Sequence, residues 1–255
     1  MKSIVMAEDI LYKENRYNKL KIFFVLGFII ISFAPFTLSM GRFKNDFTNN
    51  KLNDNTPLNI KVAKAYGIDS FSKIKKIDYT FNVNFNGKVF KRKWEWYPET
   101  KDITYWGKDS SGKDENMSYN QNKNMDEKTK KIDAKFINDN YWLLFPFHLV
   151  WDKNVDFKDE GLKNYPVSKG RGRCLVITYS RKVGYTPGDV FELYLDKDYK
   201  IHEWVYKAGG SEKNPFSATW EGNKNFNGIT ISTEHYGPGK KFKLWFSDIN
   251  VEYAK

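Results

Sequence analysis

Cysteine is nearly absent from this sequence, since Cys174 is the only one among 255 residues. A single thiol excludes an intrachain disulfide framework and a zinc site built from several cysteines. Cys174 lies in the apolar run CLVITY, where a cysteine usually packs as a small buried hydrophobe. We therefore expect a structural role for it.

Recognisable catalytic and cofactor motifs are also missing. No serine lies in a GxSxG turn, no glycine-rich phosphate loop occurs, and His148, His202 and His235 lack the spacing of a metal-ligand set. His202 and His235 fall on apolar rows of predicted strands, where a hydrogen-bonded core histidine is the commoner finding. We expect no catalytic residue, no metal site and no cofactor. A small hydrolytic site would require Arg92, His202 and a carboxylate to meet in one cleft.

The chain has one long apolar run near its start, residues 22–38 (IFFVLGFIIISFAPFTL), which follows three basic residues. The run is shorter than the roughly 20 residues of a membrane span and fits the core of a secretory signal with cleavage after Ser39. An uncleaved N-terminal anchor is the alternative. Both place the rest of the chain outside the cytoplasm, either in the periplasm or anchored and facing it. We predict a signal peptide or membrane anchor over 1–39, a linker over 40–56 and one domain over 57–255.

The net charge of +11 is spread over the chain instead of forming a stripe. A basic surface favours anionic partners such as lipid head groups, so a membrane surface is one expected partner. The short RGR run at 171–173 does not make a nucleic-acid patch, and we expect no nucleic-acid partner. The sequence does not determine the oligomeric state.

A β-hairpin with a defined register is predicted around Asn86-Gly87, because apolar and polar residues alternate before this pair and Asn-Gly favours a tight type I′ turn. A two-residue turn fixes which residues face each other. The resulting pairs are Phe85–Lys88, Val83–Phe90, Phe81–Arg92 and Tyr79–Trp94. Arg92 therefore falls among aromatic side chains on the face expected to be buried.

Further alternating segments predict strands around the turns Lys197-Asp198 and 237–240, with a bulge near 247–248. A short helix is predicted between Pro57 and Gly67. Pro146 is expected to limit the apolar segment 136–152 to a short helix from Tyr141, with Asp139 or Asn140 as N-cap. The polar residues 108–131 are predicted to form a mobile excursion.

The predicted fold class is mainly β (α+β). We expect one strongly curved antiparallel sheet of about nine to eleven strands, a half-open β-barrel, with one or two short helices packed on its concave face.

Aromatic residues make up 17% of the chain, including eight tryptophans, and many lie on the predicted inward rows. They either fill the hollow of a curved sheet or line an open groove that accepts a long apolar ligand. In the second case the ligand-binding residues are Tyr79, Phe81, Phe90, Arg92, Trp94, Trp96, Trp142, Phe145, Trp204 and Phe242.

The order of these features resembles a known family. The helix leading into AYGIDSFSKIKKIDYTFNV, the K-x-W-x-W strand, NDNYWLLFPFHL, LYLDKDYKIHEW, SATWEG and GITISTEH are similar to uncharacterised exported proteins of the LolA/LolB-like lipoprotein-localisation superfamily. The resemblance covers roughly residues 57–253. It implies a half-open antiparallel barrel closed by short helices, an apolar cavity for acyl chains, and no enzymatic activity.

The leading hypothesis is a non-enzymatic cell-envelope protein that binds a lipid or another acylated or apolar ligand in the hollow of the sheet. Arg92, with Lys93 or His202 at the rim, would then meet an anionic head group; alternatively, Arg92 only stacks on Phe81 or Trp94 as a cation–π pair. The second hypothesis is a structural or interaction module of the envelope with a filled core. The third is a small hydrolase.

Overall fold

The structure is a computed structural model that describes residues 53–85, 87–109, 111–181 and 187–254. The predicted signal or anchor segment and most of the linker lie outside these residues. The described helices are α1 (Leu58–Ala65), α2 (Ile68–Phe71) and α3 (Glu127–Trp151). The described strands are β1 (Ile74–Phe85), β2 (Lys88–Tyr97), β3 (Asp102–Lys108), β4 (Asp114–Asn120), β5 (Val155–Asn164), β6 (Arg171–Tyr179), β7 (Val190–Leu195), β8 (Ile201–Lys207), β9 (Phe216–Thr219), β10 (Glu221–Phe226), β11 (Ile229–Tyr236) and β12 (Phe242–Tyr253).

The strands form two antiparallel sheets that α3 covers on their inner faces. The first sheet has the order β10-β11-β12-β1-β2-β3-β4 and the second the order β5-β6-β7-β8-β9. The predicted class, an open, mainly antiparallel β fold with few helices, is confirmed. The division into two sheets differs from the single sheet predicted, because the chain leaves β4 through the long helix α3 and starts a new sheet at β5.

The β1–β2 hairpin has the register that the sequence predicts. Phe85 pairs with Lys88, Phe81 with Arg92 and Tyr79 with Trp94. The predicted bulge is also present, as the pairing of β1 with β12 shifts between residues 247 and 250. Short-range turn chemistry therefore determined the central part of the first sheet.

The predicted N-terminal helix is also present as α1. Pro57 occupies its N-cap and Tyr66 its C-cap. Gly67 follows with φ of 90°, in the left-handed region that favours glycine. A Cβ at Gly67 would lie 2.1 Å from the carbonyl oxygen of Gly228, so this helix end is packed directly against the β10–β11 turn.

Helix α3 is much longer than predicted. It begins after Asp126, whose carboxylate accepts a hydrogen bond from the Thr129 N–H at 2.8 Å, instead of at Tyr141. Pro146 does not restrict the helix to a short segment: the backbone departs from helical geometry at Leu144 (φ −127°, ψ 23°), and the helix continues after this kink. The prediction of a mobile excursion over residues 108–131 was wrong, because this segment contains β4 and the first turn of α3.

His202 does not lie on the buried row of β8, contrary to the prediction. The register passes from Tyr194 opposite Glu203 to Leu195 opposite Ile201, which leaves His202 as the extra residue of a bulge. Its imidazole is exposed and stacks on the Tyr165 ring at 4.3 Å. The bulge shifts the alternation by one residue, which a strict period of two could not predict.

Cys174 is buried, as expected. It packs with Tyr194 and Val205 in a small apolar cluster separate from the main core. Burial raises the pKa of its thiol to about 11, so the thiolate is disfavoured at neutral pH.

Candidate functional site

The inner faces of both sheets and the buried side of α3 enclose an aromatic interior. Trp142 of α3 lies 4.4 Å from Trp204 of β8 and 6.2 Å from Phe242 of β12, measured between ring centroids. Phe145 contacts Trp204 at 5.4 Å. These residues come together because the strands present alternate side chains inward and α3 is buried over most of its second half.

The predicted groove residues belong to this interior, with one exception. The nine buried ones are Tyr79, Phe81, Arg92, Trp94, Trp96, Trp142, Phe145, Trp204 and Phe242. Phe90 is 40% exposed. It precedes Arg92 on the same row of β2 and lies nearer the hairpin turn, beyond the point where α3 contacts the hairpin through Asp139. Ligand binding by these residues stays a prediction.

Arg92 is paired with a residue that the sequence did not identify. Its Nε donates to Asp139 Oδ2 at 2.7 Å and its Nη2 donates to Oδ1 at 2.5 Å. The indole N–H of Trp94 donates to Oδ2 at 2.8 Å, and the amide of Asn138 donates to Oδ1 at 3.0 Å. The Arg92 guanidinium also stacks on the Phe81 ring at 4.6 Å, which confirms the predicted cation–π contact.

Asp139 was predicted only as a candidate N-cap, yet it is completely buried within α3. No sequence signal pointed to this burial, because Asp139 lies between Asn138 and Asn140. Once buried, its carboxylate needs a cationic partner, since an unpaired buried charge is strongly unfavourable. The pair neutralises both charges and attaches the first half of α3 to the first sheet.

The far end of α3 is attached to the second sheet by another polar network. Asp152 Oδ2 accepts hydrogen bonds from the hydroxyls of Tyr141 (2.6 Å) and Tyr179 (2.7 Å), and its Oδ1 lies 3.0 Å from His148 Nδ1. Burial opposes ionisation of Asp152, but His148 and these hydrogen bonds keep the pKa of the carboxyl below its usual value. His148 Nε2 also lies 2.9 Å from the Asn140 side-chain oxygen. Helix α3 is therefore held by polar groups on both sides of its kink.

The Tyr79 hydroxyl and the Trp96 indole nitrogen, on the first sheet, have no hydrogen-bond partner among the described residues. Three further polar atoms of the aromatic interior share this lack. They are the indole nitrogens of Trp204 and Trp220 and Nε2 of His235. His235 Nδ1 lies 3.1 Å from the carbonyl oxygen of Thr219 and must donate to it, so Nε2 is left as an acceptor. Burial lowers the pKa of His235 to about 3, which keeps the ring neutral at pH 7. Trp204, Trp220 and His235 thus supply two donors and one acceptor without partners.

These atoms belong to adjacent rings. His235 lies 4.2 Å from Trp220, and Trp220 lies 5.3 Å from Trp204. Trp142 contacts all three rings, at centroid distances between 4.4 and 6.1 Å. A neutral polar group among these rings would therefore be surrounded by aromatic surface.

The structure does not bring together the residues of the hydrolase hypothesis. Arg92 binds Asp139 between the first sheet and α3, whereas His202 lies on the surface of the second sheet beside Tyr165. Lys93 is exposed on the outer face of β2, so neither Lys93 nor His202 lies beside Arg92 at a common rim. Among the described residues, no cluster of three or more His, Cys, Asp or Glu side chains could hold a metal ion.

No protein-family model and no curated protein matches this sequence. Solved structures with a similar fold include a DUF1329 family protein from Desulfovibrio piger, with 12% identity, a TM-score of 0.41, and coverage of 77% of this chain and 93% of that one. A putative outer membrane lipoprotein-sorting protein domain from Vibrio parahaemolyticus has 9% identity and a TM-score of 0.43, covering 76% and 92%. Mycobacterium tuberculosis lipoprotein LppX has 7% identity and a TM-score of 0.29, covering 79% and 99%. The likeness to each of these structures is one of fold alone. In the segments described, no helix is both long and apolar enough to cross a membrane.

Proposed function

We propose that this protein is a non-enzymatic cell-envelope protein that binds a lipid or another apolar ligand between α3 and the inner faces of the two sheets. The observation that carries the proposal is the cluster of unpartnered polar atoms on the adjacent rings of Trp204, Trp220 and His235. A core selected only for packing has no need of these groups, whereas a ligand with a neutral polar group would use them.

The energetics favour such a ligand. Each buried polar atom without a partner costs about 1–3 kcal/mol, and a ligand that supplies the missing partner recovers part of that cost. An ester has acceptors for the two indole N–H groups, and a hydroxyl has a donor for His235 Nε2. The apolar part of the ligand adds about 25 cal/mol for each Å² removed from water.

Access to this interior requires movement of α3. The helix is kinked at Leu144, and its two halves are attached to different sheets through Asp139 and Asp152. Movement of one half on this kink would open the interior on the side of Phe90, the one predicted groove residue that is substantially exposed. The extracytoplasmic location follows from the predicted N-terminal signal or anchor.

The proposal is tested by native mass spectrometry of protein from its own host, followed by tryptophan quenching with a brominated monoacylglycerol. We expect a co-purified ligand of low mass and saturable quenching at micromolar concentrations. Trp204→Phe should weaken binding because the indole donor is lost, while Phe157→Leu, at an exposed position on β5 of the second sheet, serves as the control and should not.

A filled interaction module is the second candidate. It is favoured by the burial of nine of the ten predicted groove residues and by close ring contacts such as that of Trp142 with Trp204. It predicts neither a co-purified ligand nor saturable quenching. That result would reject ligand binding.

A further inference from the structure

The turns at one end of the seven-stranded sheet lie side by side and are rich in lysine. The turns β1–β2, β3–β4 and β11–β12 all fall at this end, because β11, β12, β1, β2, β3 and β4 are successive antiparallel neighbours. Lys88, Lys240 and Lys241 lie at the turns. Lys91, Lys93, Lys108 and Lys243 lie on the outer face next to them.

Aromatic and apolar side chains lie between these lysines on the same outer face. Lys93 Nζ is 5.2 Å from the Trp106 ring, while Lys243 Nζ is 5.1 Å from the Tyr236 ring and 5.3 Å from the Trp245 ring. Val89 is 49% exposed and Trp106 is 37% exposed. We call this region, formed by Lys88, Val89, Lys91, Lys93, Trp106, Lys108, Tyr236, Lys240, Lys241, Lys243 and Trp245, the tip surface. It crosses five strands, a width of roughly 20 Å.

Acidic side chains neutralise only part of the tip surface. Glu234 pairs with Lys243 at 3.5 Å, and Asp114 pairs with Lys108 at 2.9 Å. Within the described part of the chain, no ion pair is formed by Lys91 or Lys93. The tip surface therefore has excess positive charge next to exposed apolar side chains.

We propose that the tip surface docks on the surface of an anionic lipid bilayer. Lysines on extended stems place their ammonium groups among lipid phosphates, and Trp and Tyr side chains favour the boundary between head groups and acyl chains. Val89 would contact the same boundary. A single-stranded nucleic acid is less well matched, because the tip surface has lysines but no arginine to form two-point phosphate contacts. The proposal goes beyond ligand binding, since docking requires no occupied interior.

The test uses the full chain in vesicles, with an environment-sensitive fluorophore on a cysteine introduced at Val89 (Val89→Cys). The matched control is Leu162→Cys on β5 of the second sheet, where Leu162 is 64% exposed. Cys174 is retained, because it is buried and its thiol has a raised pKa. The apolar run 22–38 is common to all variants, so only the label reports on the tip surface.

With phosphatidylglycerol in phosphatidylcholine vesicles, we expect the label at position 89 to shift to the blue and to be quenched by lipids with spin labels. The label at 162 should show neither effect, and both effects at 89 should fade in phosphatidylcholine alone or at high salt. Each lysine removed should lower the ratio of docked to undocked protein roughly fivefold. The variant K91Q/K93Q/K241Q should therefore lose roughly a hundredfold.

The charge-matched control is K73Q/K75Q/K153Q, which changes three exposed lysines at the opposite end of the molecule. It should leave the label at 89 unaffected. Equal responses of the labels at 89 and 162, or equal losses in the two triple variants, would overturn the proposal. A response of the label at 89 to a single-stranded oligonucleotide but not to anionic vesicles would also overturn it.

Discussion

The Arg92 guanidinium and the Asp139 carboxylate form a two-point hydrogen bond, at 2.7 and 2.5 Å, between the central hairpin and α3. Both side chains are buried. We expect Arg92→Met to lower the free energy of unfolding by about 3–5 kcal/mol, because Asp139 is left as a buried charge. Urea denaturation measures this change.

Two further variants identify the cause. Arg92→Met combined with Asp139→Leu should recover most of the loss, since an apolar pair replaces the ion pair. Arg173→Met removes the exposed partner of Asp159 and should cost about 1 kcal/mol or less. If Arg92→Met were no more harmful than Arg173→Met, the buried pair would not stabilise the fold.

His235 should make stability depend on pH. Burial lowers its pKa to about 3 in the folded protein, against about 6.5 in the unfolded chain. As pH falls below 6.5, the unfolded chain binds a proton that the folded protein does not. The stabilisation present above pH 6.5 therefore declines toward pH 3, by up to about 1.4 kcal/mol per pH unit.

Urea unfolding at several pH values between 7 and 4 tests this effect. His235→Gln should reduce the slope relative to the parent protein, and the surface change His202→Gln should leave it unchanged. Carboxyl groups such as Asp152 contribute to the slope of every variant, so the difference between variants isolates His235. Identical slopes in His235→Gln and the parent would contradict the prediction.

Two glycines with positive φ should respond very differently to alanine. At Gly87, with φ of 80°, no atom of the described residues outside its chain neighbours lies within 4 Å of an added Cβ, so Gly87→Ala should cost only about 1 kcal/mol for the left-handed backbone. At Gly67 the added Cβ would lie 2.1 Å from the Gly228 carbonyl oxygen. Gly67→Ala should therefore destabilise the protein much more than Gly87→Ala. The midpoints of urea unfolding compare them, and equal midpoints would show that the β10–β11 turn moves aside at little cost.

Glu203 should hold the loop between β5 and β6 in place. Its buried carboxylate accepts the backbone N–H groups of Val167 (2.6 Å) and Ser168 (2.9 Å). Glu203→Gln should cost about 2 kcal/mol, because one charged acceptor is replaced by an amide donor. Trypsin should then cleave faster after Lys169 in the native protein. Glu212→Gln, which alters an exposed partner of Lys207, is the control and should not change this rate.

The sequence predicted the structural features that depend on residues close together in the chain. The Asn86-Gly87 turn fixed the pairing of Phe81 with Arg92, and alternation identified the inward rows of β11 and β12. Prediction from the sequence failed where residues far apart in the chain determine the structure. Pro146 was predicted to limit the helix to a short segment, but burial of α3 against both sheets outweighs the local cost of the proline.

The candidate site shows the same limit. Arg92 was correctly placed on the inner face, but its partner Asp139 is 47 residues away and could not be assigned by pattern. The β8 bulge likewise moved His202 outward and left Glu203 to bind the 167–168 backbone. Bulges and long-range charge pairs are therefore the features that alternation alone does not predict.

The pairing of β1 with β12 has a consequence for the order in which the chain can fold. Ile74 lies opposite Tyr253 and Phe85 opposite Phe242, so the first described strand is joined to the last in the middle of the seven-stranded sheet. During synthesis, β1 and β2 can form their hairpin early, but one side of β1 has no neighbour until nearly the whole chain has emerged. Such distant pairing makes folding slow, and it leaves one edge of β1 open until β12 has been synthesised.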